Sequence, residues 1–538
     1  MRRKVVEEWE NKYTWNSFHD LNNLTQGTLE AWPVLNINLN KDPNVIPTVE
    51  GGVLWGDSLN KTFYVFGGAI TAGLPGEFHL FGYDIINDRW WDFGAPKTTW
   101  LNIPYYGAGV GVSQTGEGYY YGGWISNTSM QGWTNPPTMS SSLYKYQYDQ
   151  NRFTLANSPT DNLARAEGTM VWIPAGDNSG MFVYLGGIYG LSNGTTAAQP
   201  MNEILVYDPG SNEWFTQTAT GQVPPNRRRH CADVAWAPDQ SSYNIYVWGG
   251  LGVPPPVTNF TAYSDIYVLT LPSFTWVKLW PDHNTNASYQ SGHYSSTCNM
   301  VKSQSQMIVI GGKYPDNPDI CDLADGYWAE HNLWTGTLNN QGDNGTYWAL
   351  YNPNVTTNVI PDDVYNVTGG TKNGGATLLA PKSGWDQGNA AGLGSLLMRK
   401  PTFTRQAIRG GPTSSPTNTT TPTSPPSPPS PHKLSAGAIA GIAIGGAAAL
   451  ILIFVAWCVI GMRLWKKRQE HRRQSQVTQL TQGSSPYPGY GPSTMSPLSV
   501  PEQWAPGPGG SPVPGSPVPV SPPPIELPAG QQRWNNKP

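Results

Sequence analysis

Apolar residues in this chain occur as short runs rich in β-branched and aromatic side chains, and the runs recur at a regular distance. Runs of this kind predict β-strands. The steps between successive runs are 55, 64, 63 and 62 residues, and such a period predicts a supersecondary unit that packs against copies of itself. Five runs end in two glycines: "TFYVFGG" at Gly68, "GYYYGG" at Gly123, "MFVYLGG" at Gly187, "NIYVWGG" at Gly250 and "QMIVIGG" at Gly312.

A second pattern lies downstream of the double glycines. A tyrosine or leucine is followed seven residues later by an aromatic residue, with turn-forming residues between them, as in "YDIINDRW" and "YDPGSNEW". This spacing predicts two further short strands joined by a tight turn, so each unit has about four strands. The pairs are Tyr83 and Trp90, Tyr146 and Phe153, Tyr207 and Trp214, and Leu269 and Trp276.

Double glycine, then tyrosine, then tryptophan is the kelch-repeat pattern, and over residues 32–390 the chain resembles kelch-repeat proteins. The resemblance implies an all-β fold, a kelch-type β-propeller. It implies that the repeat-defining residues are Gly67, Gly68, Gly122, Gly123, Gly186, Gly187, Gly249, Gly250, Gly311, Gly312, Trp90, Trp214 and Trp276.

The number of blades depends on less regular copies. The run "VYNVTGG" ends at Gly370 and predicts a sixth strand of this type, so we expect six blades, with seven as the alternative. The fifth copy is irregular, because "YWAEHNLW" from Tyr327 to Trp334 has the expected spacing but otherwise matches the pattern poorly. Residues 1–31 form an atypical N-terminal segment without a signal-peptide h-region, and we expect that the true start lies upstream.

Composition agrees with an all-β extracellular protein. Only 13% of the residues are charged, whereas glycine, proline and tryptophan are abundant, with 60, 50 and 23 residues. The formal net charge of −4 gives no reason to expect a nucleic-acid partner.

Residues 435–462 contain no charged side chain and are long enough to predict one transmembrane helix. Because basic residues cluster directly after it, the positive-inside rule predicts a cytoplasmic tail over residues 463–538 and an extracellular propeller at the plasma membrane. Residues 391–434 are rich in Ser, Thr and Pro and predict an extended stalk. This layout resembles single-pass membrane kelch proteins of filamentous fungi.

Glycosylation sequons support the same topology, because all of them precede the predicted membrane helix. The predicted N-glycosylation sites are Asn23, Asn60, Asn127, Asn193, Asn259, Asn286, Asn344, Asn354, Asn366 and Asn418. Three cysteines precede the helix. Cys298 and Cys321 flank the strand that ends at Gly312 and are the predicted disulfide, which leaves Cys231 unpaired, although three cysteines leave the connectivity open.

The catalytic alternative comes from a distant resemblance to the galactose oxidases, whose copper is held by two histidines and two tyrosines. His230 and His293 stand 19 and 18 residues before a double glycine, so we interpret them as repeat-equivalent packing residues. Arg227, Arg228 and Arg229 are interpreted as a solvated loop, with an anion site as the alternative. No hydrolase, zinc-protease, P-loop or dinucleotide motif is found, and no cofactor is predicted.

We therefore expect a cell-surface binding protein for a protein or glycan ligand. A membrane-tethered copper enzyme and a structural cell-wall tether are the alternatives. Gly437, Gly441 and Gly445 have the spacing of a helix-dimerisation face, which predicts a homodimer. The proline-rich tail favours polyproline II structure and predicts SH3 or WW domain partners.

Overall fold

The computed structural model describes residues 45–71, 73–254, 261–281, 292–315, 331–336, 348–349 and 351–408, and the backbone of 18–24, 33–36, 317–321 and 330. The predicted membrane helix, the tail and most of the stalk lie outside these residues. Within the described ranges, no helix has both the length and the apolar character needed to cross a membrane.

The described chain is built from strands, most of which join five antiparallel sheets. An N-terminal hairpin pairs β1 (Phe18–Leu24) with β2 (Pro33–Asn36). Sheet 1 contains β3 (Val49–Asp57), β4 (Thr62–Ile70), β5 (Phe81–Asp84) and β6 (Arg89–Asp92). The next segment contains β7 (Ala108–Val112), β8 (Glu117–Tyr121), β9 (Trp124–Ile125), β10 (Thr138–Met139), β11 (Leu143–Gln147) and β12 (Arg152–Ala156). In this segment β7, β8, β11 and β12 form sheet 2, while β9 pairs with β10.

The third and fourth sheets repeat this plan with small additional strands. The third segment contains β13 (Arg165–Ala166), β14 (Thr169–Ile173), β15 (Met181–Leu185), β16 (Ile188–Gly190), β17 (Thr196–Ala198), β18 (Glu203–Asp208), β19 (Glu213–Thr218) and β20 (Thr220–Gly221). The fourth contains β21 (Arg227–Arg228), β22 (Cys231–Trp236), β23 (Tyr243–Trp248), β24 (Leu251–Gly252), β25 (Ile266–Leu271) and β26 (Thr275–Trp280). Sheet 3 is β14–β15–β18–β19, and sheet 4 is β22–β23–β25–β26 with β20 added in parallel to β26.

The fifth sheet is shorter in the described chain. Its segment contains β27 (Thr297–Val301), β28 (Gln306–Ile310), β29 (Lys313–Tyr314), β30 (Asn317–Cys321) and β31 (Glu330–Trp334), of which β27, β28 and β31 form sheet 5. Among the described residues, the helical elements are a 3₁₀ turn (Tyr148–Gln150), α1 (Asp362–Thr368), a π-helical turn (Ala390–Gly394) and α2 (Ser395–Leu397).

The predicted tyrosine-to-tryptophan hairpins are confirmed by strand register. Tyr83 lies directly opposite Trp90, and Leu269 lies directly opposite Trp276. The pairs at Tyr146 and Tyr207 have the same register with Phe153 and Trp214. Because all four pairs fall on the third and fourth strands of their sheets, the seven-residue spacing reports a hairpin in each repeat.

In the fifth repeat, the irregular match "YWAEHNLW" does not mark the hairpin, because its Trp334 ends β31, the third strand of sheet 5. Leu333 lies opposite Met307, four residues before the double glycine, which is the register of Tyr83 and its equivalents. The strand partner of Leu333 on its other side is Trp348. An insertion between these two residues breaks the seven-residue spacing, so the sequence pattern selected a coincidental match.

The predicted sixth strand at Gly370 is also wrong, because "VYNVTGG" forms helix α1 and its cap. Pro361 precedes the helix, and Asp362 and Asp363 in its first turn favour the positive end of the helix dipole. Val364 and Thr368, one turn apart, are buried. The described residues therefore contain five of the repeated sheets, sheets 1 to 5, and the prediction of six blades loses the strand on which it rested.

Apolar side chains fill the space between neighbouring sheets. One core cluster joins Val183 of sheet 3 to Ile245 of sheet 4, and others join sheets 1 and 2, 2 and 3, and 4 and 5. The first strands β3, β7, β14, β22 and β27 contact one another in that order. Sheets that pack face to face around their first strands are consistent with a kelch propeller.

After sheet 5 the chain returns across the sheets in reverse order, and we call residues 351–408 the strap. It begins on sheet 5, where Asn352 donates its backbone N–H to Gln306 Oε1 at 3.0 Å. It then crosses sheet 4, where the backbone N–H of Gly375 donates to Asp239 at 2.7 Å.

The later part of the strap crosses sheets 3, 2 and 1. Leu396 accepts a hydrogen bond from the backbone N–H of Gly176 at 2.9 Å, in the turn between β14 and β15. Arg405 then binds Asp149 of sheet 2 and Asp57 of sheet 1. The predicted stalk boundary at residue 391 falls inside this packed segment, because the apolar "GLGSLLM" run inserts its leucines into the core. The strap follows the turns between the first and second strands, and the double glycines lie at the other end of those strands.

Candidate functional site at the double-glycine end

The first four double glycines lie where one repeat contacts the next. All ten glycines of the five pairs have positive φ. A Cβ on Gly122 would lie 2.2 Å from the carbonyl oxygen of Arg165 in the next sheet. The N–H of Gly123 donates to this same oxygen at 2.8 Å, and Gly68, Gly187 and Gly250 make the equivalent bond. Glycine is required there because the backbones of adjacent sheets meet without room for a side chain.

Next to these contacts, five backbone positions form a chain of hydrogen bonds that links all five sheets. Tyr106, Glu167, Arg229 and Ser295 each donate their N–H to the carbonyl oxygen of the equivalent residue in the preceding sheet, at 2.7 to 2.8 Å, beginning at Gly51. We call these five residues the ring residues. They lie where the first strand of each sheet begins, at the end opposite the strap contacts.

The ring residues share an unusual backbone conformation. The φ angles of Tyr106, Glu167, Arg229 and Ser295 lie between 52° and 62°, and that of Gly51 is 71°. The left-handed region costs a non-glycine residue about 1 kcal/mol or more relative to glycine. Glycine occupies only one of the five positions, so four large or polar side chains occupy the others in spite of this cost.

The side chains around the ring form a connected polar group. Glu167 is almost completely buried and accepts hydrogen bonds from Arg228 and Arg229, both at 3.0 Å, and from the indole of Trp124 at 3.3 Å. The guanidinium of Arg229 also lies over the ring of Tyr106, 3.8 Å from its centroid. These residues come from the second, third and fourth repeats.

Sheets 1 and 5 join the same group through Glu50. This carboxylate accepts a hydrogen bond from the Tyr106 hydroxyl and lies 3.5 Å from Lys313 Nζ. Burial raises the pKa of Glu50, and the nearby charge of Arg229 opposes that rise. We call the whole set the mouth cluster, and it comprises Glu50, Tyr106, Trp124, Glu167, Arg228, Arg229 and Lys313.

The interpretation of Arg227, Arg228 and Arg229 as a solvated loop is wrong. Arg227 is fully buried, pairs with Asp265 at 2.6 Å, and lies over the ring of Tyr263 at 4.2 Å. The next two arginines belong to the mouth cluster and keep only 28% and 22% of their side chains exposed. Acidic partners from other repeats hold these side chains, and local sequence gives no sign of them.

His230 and His293 do not occupy the same repeat position. Cys231 pairs with Trp248 and Thr297 with Ile310, each one residue before a double glycine, so strand register aligns His293 with Arg227. Both histidines are buried packing residues, as predicted. Burial and the charge of Arg227 lower the pKa of His230 to about 3, so this imidazole is neutral.

The predicted disulfide between Cys298 and Cys321 is wrong, because Cys298 is bonded to Cys231. The first strands β22 and β27 of sheets 4 and 5 lie side by side, which brings the two Cα atoms to 5.3 Å. Cys321 pairs by strand register with Lys313. Sequence proximity favoured a pair around one strand, whereas the packing of two sheets forms the bond. Within the described residues, no three His, Cys, Asp or Glu side chains are placed to hold one metal ion.

The predicted glycosylation sites differ in their surroundings. Asn127, Asn193, Asn354 and Asn366 are exposed. Asn60 is partly buried, and its amide is used in hydrogen bonds. Only the backbone is described at Asn23, and the remaining sites, Asn259, Asn286, Asn344 and Asn418, lie outside the described residues.

The five repeated sheets, each with a double glycine near the end of its second strand, resemble the repeats of kelch proteins. Over 362 residues the chain is 29% identical to a Kelch repeat-containing protein of Arthroderma benhamiae. The match covers 60% of this chain and 51% of that protein, so the chain spans about half the length of the curated relative it matches. No family model matches the chain. The similarity confirms the resemblance to kelch-repeat proteins.

Proposed function

We propose that this protein is a binding protein that recognises a protein or glycan ligand through the mouth cluster. The observation that carries the proposal is the presence of Tyr106, Glu167 and Arg229 at positions where the backbone favours glycine. Strained residues of this kind concentrate at functional sites, because a required side chain offsets the conformational cost. The kelch-repeat relative supports a binding module rather than an enzyme.

The distribution of free surface supports the same end of the sheets. The strap covers turns at the opposite end, where Leu396 and Arg405 contact sheets 3, 2 and 1. The mouth cluster presents guanidinium, carboxylate, phenol and indole groups from five sheets. Such groups supply the directed hydrogen bonds and aromatic surface that a specific ligand needs.

The proposal extends to the setting of the protein. The uncharged run at residues 435–462 and the basic residues after it support a single-pass plasma-membrane protein with the sheets outside the cell. The disulfide between Cys231 and Cys298 fits an oxidising compartment. In this arrangement the proline-rich tail would recruit SH3 or WW domains inside the cell, and Gly437, Gly441 and Gly445 would pair two membrane helices.

The test is a binding screen followed by footprinting. The full chain, purified in detergent, is applied to arrayed wall glycans and arrayed extracellular proteins. With the best ligand bound, carboxyl footprinting should show protection of Glu50 in the mouth cluster and none of Asp177 beside the strap. Protection of Asp177 alone would place binding at the wrong end. Retention on isolated wall without any soluble ligand would favour the structural tether, and copper at one ion per chain with oxidase activity would favour the enzyme.

A further inference from the structure

The end of the strap is held by a buried ionic clamp on sheets 1 and 2. Arg405 donates to both oxygens of Asp57 at 2.9 and 2.8 Å and to both oxygens of Asp149 at 2.6 and 2.8 Å. It also donates to the carbonyl oxygen of Ser113 at 2.7 Å. Asp57 is completely buried, and only 9% of the Arg405 side chain is exposed.

Asn60 completes this clamp with all the polar atoms of its side chain. Its amide nitrogen donates to Asp57 at 2.9 Å and to Asp149 at 3.3 Å. Its oxygen accepts the backbone N–H of Ile408, the last described residue of the strap, at 2.7 Å. Asn60 thus fixes the two carboxylates that bind Arg405 and also binds the strap directly.

Asn60 is also the acceptor of the sequon Asn60-Lys61-Thr62. N-glycosylation joins the amide nitrogen to the anomeric carbon of a lipid-pyrophosphate-linked oligosaccharide, and the bond between sugar and pyrophosphate breaks. The nitrogen loses one proton, so it cannot continue to donate to both carboxylates. The sugar would also occupy the space beside the amide where Ile408 lies.

We propose that N-glycosylation of Asn60 controls docking of the strap: an N-linked glycan on Asn60 and the docked strap exclude each other. An unmodified Asn60 keeps Arg405 in the clamp, and a glycosylated Asn60 leaves the end of the strap released. The exposed sequon at Asn193 provides the internal comparison. Its oxygen, and not its nitrogen, makes the local bonds to Thr195, so a glycan there disturbs no such contact.

The test uses the full chain behind a cleavable secretion signal in a glycosylating host. Trypsin must take the Arg405 side chain into its specificity pocket to cut after it, so the docked strap resists cleavage there. Brief digestion, followed by mass spectrometry, gives the cleavage rate after Arg405 separately for molecules with and without a glycan on Asn60. We expect cleavage at least about tenfold faster in the glycosylated molecules.

Two variants make the outcome decisive. Thr62→Val removes the sequon but keeps Asn60, and its strap should be as resistant as that of the unglycosylated protein. Arg405→Ala removes the clamp, and its Asn60 occupancy is compared with that of Asn193. If Asn60 carries no glycan in the wild type but carries one in Arg405→Ala, that result also supports mutual exclusion of the glycan and the docked strap. Equal resistance with and without the glycan would overturn the proposal, and so would an Asn60 that stays unoccupied in both proteins.

Discussion

The guanidinium of Arg229 lies 3.8 Å from the centroid of the Tyr106 ring, although the two residues precede the first strands of sheets 4 and 2. Glu167, which precedes the first strand of sheet 3, accepts a hydrogen bond from the same guanidinium. Side chains from alternate sheets can meet in this way only where the first strands converge. The contact therefore locates the mouth cluster at the centre of the sheets rather than on one of them.

Replacing Glu167 tests the electrostatic centre of this cluster. Glu167→Gln removes the charge that pairs with Arg228 and Arg229 and leaves two partly exposed cations side by side. We expect unfolding in denaturant to require about 2 kcal/mol less free energy, below the cost of a fully buried broken pair because both arginines reach solvent. Glu213→Gln, at an exposed position in β19, is the control and should change stability by less than about 0.5 kcal/mol. Equal stability of the two variants would contradict this account of Glu167.

The role of the double glycine in sheet contact can be tested with alanine substitutions at two glycines that have the same backbone conformation. Gly122 has φ of 70° and Gly132 has φ of 74°, but only at Gly122 would an added Cβ meet a backbone oxygen, at 2.2 Å. Both alanines incur the left-handed cost of about 1 kcal/mol. Gly122→Ala should lose at least about 2 kcal/mol more, because the two sheets must move apart. Thermal and denaturant unfolding give both values, and similar losses would show that sheet contact does not explain the glycine pair.

The contacts that could be predicted from the sequence are those between residues of the same repeat. Tyr83 and Trp90 were predictable because a hairpin places both residues within one repeat. Arg229 and Glu167 lie in different repeats, and their contact depends on how the sheets pack, which no spacing encodes. The sequence does contain one feature that could have located the ring residues: they lie between 16 and 20 residues before a double glycine. Their side chains, however, share no type.

Local and long-range contacts also differ in two of the wrong predictions, the strand at Gly370 and the partner of Cys298. The run at Gly370 matches a strand in composition, yet Pro361 and two aspartates start a helix, and this capping signal was available in the sequence. The partner of Cys298 was not available, because it depends on contact between sheets 4 and 5.

The disulfide can be checked directly by peptide mapping. Digestion without reduction should yield a linked pair of peptides containing Cys231 and Cys298, and no peptide linking Cys298 to Cys321. Because the bond closes a loop with a sequence separation of 67, the chain-entropy argument assigns it about 4 kcal/mol of stability. Cys231→Ser with Cys298→Ser should lose most of this amount in denaturant unfolding. Cys321→Ser is the control, and a comparable loss from Cys321→Ser would contradict the assignment.

His230 makes stability depend on pH. Its folded pKa is about 3, whereas an unfolded histidine titrates near 6.5, so the unfolded chain binds one more proton between these values. The contribution of His230 to the free energy of unfolding is greatest above about pH 6.5 and decreases as the pH is lowered. At pH 5 it is about 2 kcal/mol smaller. His230→Gln, which cannot titrate, should show a drop between pH 7 and pH 5 that is smaller by that amount. An identical drop in both proteins would show that His230 is not the titrating group.

We propose that the mouth cluster binds the ligand at a cost in backbone conformation, and one paired measurement tests this most directly. Arg229→Gly removes a cluster side chain at φ of 52°, and Ser303→Gly makes the same kind of change at φ of 57° in the turn at the strap end. Affinity for the ligand identified on the arrays and the free energy of unfolding are measured for both variants and the wild type. We predict that Arg229→Gly binds at least about tenfold more weakly while relief of backbone strain keeps its stability within about 1 kcal/mol of wild type, and that Ser303→Gly keeps full affinity. Unchanged affinity in Arg229→Gly, or equal losses in both variants, would contradict the claim.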